Sequence, residues 1–82
     1  MISILPNPSN GKFDLILEMN QNVEAQINIT SLLGNTISNQ SLLLENGVNQ
    51  INYNLENTGN GVYLLQLLIN NKQLTKKIII NK

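Results

Sequence analysis

The chain has 82 residues, five lysines balanced by five acidic residues, and no arginine, histidine, cysteine or tryptophan. That length makes one domain around a single modest core. The missing types exclude an ordinary zinc site, a thiol nucleophile, a Ser-His pair, a disulfide staple and an arginine clamp for phosphate or carboxylate.

The hydrophobic period is two throughout, which predicts strands and no helix. A short strand runs up to Pro6. In Lys12–Met19, Phe13, Leu15, Leu17 and Met19 share one face and Lys12, Asp14 and Glu18 the other. In Val23–Thr30, Val23, Ala25, Ile27 and Ile29 alternate with Glu24, Gln26 and Asn28. Thr36–Leu44 is irregular, because Ile37 and Leu43 have one parity and Leu42 and Leu44 the other. A bulge or a change of sheet reconciles them. Ile51, Tyr53 and Leu55 alternate with Gln50, Asn52 and Asn54, and Val62–Ile69 is apolar on both faces except at Gln66, as a mid-sheet strand would be. The last strand, Gln73–Ile80, sets Leu74, Ile78 and Ile80 on one face with Lys76 among them, so Lys76 is expected to snorkel outward along its stem.

Turn residues fall between these runs, at 6–11, 20–22, 33–35, 45–47, 56–61 and 70–72, and three of the turns contain Asn-Gly, which supplies the positive φ of hairpin turns. Six turns joining seven strands at this spacing predict an all-β fold: a small antiparallel seven-stranded β-sandwich, Ig-like with Greek-key connections, as one domain over residues 1–82.

No motif for chemistry stands out. Gly59-Asn60-Gly61 lacks the third glycine and the following helix of a phosphate loop. Asp14, Glu18 and Glu24 fit a solvated outer face better than a metal or acid–base cluster. The aromatics Phe13, Tyr53 and Tyr63 fall on inward faces, which argues against a sugar-binding platform. The expectation is a chain that is not an enzyme and takes no cofactor or metal. Charge is unevenly placed: residues 72–82 hold Lys72, Lys76, Lys77 and Lys82 and no acid, whereas residues 1–71 hold Lys12 against all five acids. The basic end has no interleaved aromatic and no arginine, so nucleic acid is not an expected partner. A lysine-guarded edge strand accounts for it, and so does a docking end. Residues 1–5 make no signal peptide, and no apolar run approaches the roughly 20 residues of a membrane helix. The chain is then either cytoplasmic or the tail end of something longer.

Pro6-Asn7-Pro8-Ser9-Asn10-Gly11, followed by Lys12-Phe13, resembles the "PNP-x-x-G-x-F" opening of the C-terminal sorting domains of the type IX (Por) secretion system of Bacteroidetes. The likeness continues in order. Ile27 to Ile37 is similar to that family's strand, "xxGK" turn and next strand, with Gly34 in the turn. Gly47-Val48-Asn49 matches its "G-x-N" step, Gly61-Val62-Tyr63 its "G-[VI]-Y" motif, and Lys76 to Lys82 its lysine-bearing terminal strand.

The resemblance implies a non-catalytic label at the end of a larger secreted cargo. Such labels are read by an outer-membrane translocon, a shuttle protein and a sortase, and the cargo ends secreted or on the cell surface. Lys76, Lys77 and Lys82 are the candidate recognition residues, with Gly61 needed for backbone geometry and Tyr63 for the core. The Pro6–Pro8 corner is expected to set the exit angle from the cargo, or simply to turn the first strand into the second. An exposed terminal strand also invites edge-to-edge pairing with a partner. The alternative from another class is an Ig-like adhesive or carbohydrate-binding module.

Overall fold

The structure is a computed structural model that describes residues 2–82. It has seven strands: β1 (Ile2–Leu5), β2 (Lys12–Met19), β3 (Val23–Ser31), β4 (Thr36–Leu44), β5 (Gly47–Asn54), β6 (Gly61–Ile69) and β7 (Lys72–Ile80). They form a three-stranded sheet, β1-β2-β5, and a four-stranded sheet, β4-β3-β6-β7. All strand pairs are antiparallel. The chain crosses between sheets after β2, β4 and β5, so that β5 returns to β2 and β6 to β3. This interlocking is the Greek-key path of Ig-like sandwiches.

Alternation places the core. Leu15, Leu17, Ile27, Ile29, Leu44, Leu65, Leu67, Ile78 and Ile80 are fully enclosed between the sheets. Burying each contributes roughly 1.5–3 kcal/mol. Phe13 and Tyr53, cross-strand partners, stack with ring centroids 5.3 Å apart. The inward reading of all three aromatics holds, and β6 runs between β3 and β7 as its two apolar faces require. In β4 the parity break is a register shift opposite Ile29/Thr30, and the strand stays in one sheet.

Four expectations need correction. Strand β5 begins at Gly47, because it pairs along the whole of β2, from Met19↔Gly47 to Lys12↔Asn54. None of the Asn-Gly pairs closes a tight hairpin. Gly11 lies in the long β1–β2 connection, while Gly47 and Gly61 follow crossings between sheets, all at positive φ. The two-residue hairpin is Asn70-Asn71, at φ 50° and 64°, joining β6 to β7. Asn tolerates this left-handed region better than other non-glycine residues. Leu74 does not join Ile78 and Ile80 in the core but is 51% exposed. Finally, Asp14 and Glu18 lie in one sheet and Glu24 in the other, so the three do not share a face.

Candidate recognition surface on the terminal strand

Strand β7 behaves as two different segments. Its last residues are held by the loop between β1 and β2. The Asn7 side chain works as a substitute peptide group: its Nδ2 donates to Lys77 O at 2.8 Å, and its Oδ1 accepts from Ile79 N at 2.9 Å. Ser9 continues the ladder, donating from its N to Ile79 O at 2.9 Å and accepting from Asn81 N at 2.8 Å. Ser9 and Ile80 thus form a parallel bridge. The loop leaves the three-stranded sheet, crosses the open side of the sandwich and covers the edge of the other sheet. Both bonds that enter the prolines of this loop, Leu5-Pro6 and Asn7-Pro8, are cis.

Gly11 lets this loop return to β2. At φ 112° it sits in the left-handed region, and a Cβ there would meet Glu56 Cα at 2.9 Å. Its carbonyl accepts from Leu55 N at 2.7 Å. The stiff "PNPSNG" corner therefore does more than turn one strand into the next. It clamps the terminal strand, across more than 70 residues of sequence, by contacts no local pattern displays.

The other motif residues also build shape. Asn49 caps the turn before β5: its Oδ1 accepts from Glu45 N, and its Nδ2 donates to Glu45 O and Gly47 O. The Tyr63 ring is buried, and its hydroxyl donates to Gly59 O at 2.7 Å, closing the loop ahead of β6. Gly61 follows at φ 150°. Gly34 takes φ 93° at the β3–β4 turn, where its N donates to Ser31 O. Lys82 is exposed, yet its ammonium donates to Glu56 O and Thr58 O, and its backbone N to Asn60 Oδ1. Tyr53 donates from its hydroxyl to Gln40 Oε1 at 2.9 Å, and burial pushes its phenol up to about 12.

The first half of β7 is bare. Residues 72–77 are all exposed. Lys76 pairs with Leu65 and Leu74 with Leu67, so both lie on the sheet's inner face. Leu65 and Leu67 are sealed, at 0% and 1% exposure, while their β7 partners are open. Tyr53 on β5 reaches Gln40 on β4, which sets the three-stranded sheet over the β4 side of the larger one. Its cover stops short of this part of β7. Lys76 therefore has no apolar lid to snorkel past. The one ion pair among the described residues joins Lys12 to Glu56 at 3.7 Å, so Lys72, Lys76 and Lys77 project without a carboxylate partner. No carboxylate cluster able to hold a metal ion occurs among the described residues.

Fold and surface together define a small β-sandwich module that offers an edge and a charged face, with its aromatics turned inward. The match to known families is specific: residues 3–81 fit the secretion system C-terminal sorting domain. The chain belongs to that family, and it is a sorting signal of the type IX secretion system found in Bacteroidetes. The family is not known as catalytic, and its members direct the protein that carries them across the outer membrane. No curated protein matches the chain.

Proposed function

We propose that the domain folds on its own as the address at the end of a larger cargo and is read through the exposed part of β7, with Lys76 and Lys77 as contact residues. Its readers are the outer-membrane translocon, the shuttle protein that presents cargo to it, and the sortase that trims the label. The cargo precedes residue 1 in the same polypeptide and ends in the medium or on the cell surface. Lys82, Gly61 and Tyr63 serve by holding the loop at 56–61 in shape.

The observation that carries this reading is the division of β7. The half that completes the core is locked down, and the half that bears unpaired lysines is presented. The test is a secretion assay in a bacterium with the type IX system. Residues 1–82 are fused behind a signal peptide and a fluorescent passenger. The intact fusion is expected at the cell surface or in the medium. Lys76→Gln/Lys77→Gln is expected to leave the fusion folded but held in the periplasm. Secretion of that double variant at the intact level would exclude the two lysines from the address.

A further inference from the structure

Strand β7 is an outer strand, so one row of its main-chain groups faces away from β6. The anchoring bonds identify that row: Lys77 O, Ile79 N, Ile79 O and Asn81 N all point to the edge. The register with β6 runs unbroken from Gly61↔Ile80 to Ile69↔Lys72. Odd-numbered residues therefore carry the edge groups along the whole strand. Upstream of the clamp these are the N–H of Lys77 and both main-chain groups of Thr75 and Gln73. No hydrogen bond among the described residues uses them.

The side chains beside this open row have one chemical character. Lys72 and Lys76 share the uncovered inner face, four residues apart along the strand, roughly 13 Å. Leu74 lies between them, at a recess of about 260 Å³ lined by Leu67, Ile69, Asn70, Lys72 and Leu74. Residues 72–82 contain no acid.

We propose that Gln73–Lys77 is a strand-addition site for an extended acidic segment of a partner protein. The incoming main chain pairs with the open row. Two carboxylates four residues apart meet Lys72 and Lys76, and an apolar residue midway between them enters the recess beside Leu74. Asn7 already occupies the edge beyond Lys77 and sets where the added strand must stop. The lysines that admit an acidic strand repel a second copy of β7, so the same charges suppress self-pairing and select the partner. This deepens the sorting reading and rests on it for the source of the segment, which the secretion machinery supplies.

The probe is a labelled peptide, Thr-Glu-Thr-Val-Thr-Glu-Thr, followed by fluorescence anisotropy against the full chain. A counterpart with Lys in place of Glu is expected to bind at least about tenfold more weakly, and binding of the acidic peptide to fall as salt is raised. Thr75→Pro removes an edge N–H that β6 does not use, and is expected to weaken binding about tenfold with the melting temperature held. An acidic peptide N-methylated along its pairing edge gives the same loss with the protein unaltered. Equal binding of the acidic and basic peptides, or undiminished binding of the N-methylated one, overturns the proposal. The secretion assay separates the two readings. If the Thr75→Pro fusion is secreted at the intact level while Lys76→Gln/Lys77→Gln is retained, this edge is not the machinery's strand site and the sorting address stands. If the intact fusion is itself not secreted, the sorting reading fails alone, and peptide binding decides the strand site.

Discussion

Both halves of β7 turn aliphatic side chains to the sheet's inner face, Leu74 in the first and Ile78 and Ile80 in the second, but these meet opposite fates. From Ile78 to Ile80 the strand is covered on its inner face by the opposite sheet and at its edge by Asn7 and Ser9. From Lys72 to Lys76 it has neither cover. The difference teaches that for such side chains burial is decided by the width of the facing sheet and the reach of one loop as well as by parity along the strand. Leu74 and Ile78 have the same parity and both pair with buried residues of β6, Leu67 and Tyr63, yet one is half exposed and the other sealed.

Truncation sharpens that contrast most. Ile78→Ala is expected to cost about 2–5 kcal/mol, through lost burial and a cavity the flanking strands cannot fill. Leu74→Ala is expected to stay within about 0.5 kcal/mol, as at other open surface positions. Urea unfolding of the two variants makes the comparison, and equal losses would mean that the bare half is covered in solution. Next in size is the clamp. Asn7→Ala removes both bonds to β7 and leaves Lys77 O and Ile79 N at an open edge, for a loss of about 1–2 kcal/mol. Amide exchange should then quicken at Ile79 and Asn81 with little change at Thr75, which is open already.

Much of this fold is legible in the sequence, because a sandwich repeats one local rule. Alternation alone marks Phe13, Leu15, Leu17, Ile27, Ile29 and Ile78 as core, the two apolar faces of Val62–Ile69 mark that strand as mid-sheet, and turn residues mark every strand end to within a few positions. The clamp was not legible. Asn7 reads as a turn residue, and nothing near it in sequence signals an amide that pairs with residues 77 and 79. The bare half of β7 was hidden for the complementary reason. Parity assigns Leu74 to a face, but whether anything lies over that face depends on how three strands are set across four. In the sequence Asn70-Asn71 reads as a turn but not as the molecule's two-residue hairpin, since Asn-Gly pairs elsewhere carry the stronger signal.

Two smaller effects probe the edges of the core away from β7. The Tyr53 phenol is held neutral by burial, with its pKa raised from 10.0 to about 12. The stability this contributes is fully present below pH 10 and is lost as pH rises through the folded value. Unfolding midpoints should therefore fall between about pH 10 and pH 12, and Tyr53→Phe should flatten that slope. Tyrosinate absorbance gives the direct reading. Smallest of all, Asn28 sits in mid-sheet on the outer face of β3 with its Oδ1 buried and unpartnered. Asn28→Val removes the unsatisfied acceptor and supplies a better strand former, for a gain of about 0.5–1 kcal/mol in thermal or urea unfolding.

Asn7 and Ile79 lie near opposite ends of the domain's stretch of chain. A chain broken off before Lys77 has every strand pair of the smaller sheet, yet its Asn7 amide has neither of its β7 partners to hold, its core lacks two of its sealed side chains, and its loop has no edge to cover. The lock therefore engages only once residues 77–81 have joined the sheet. A label built this way reports, by its shape, that its own seventh strand has been made.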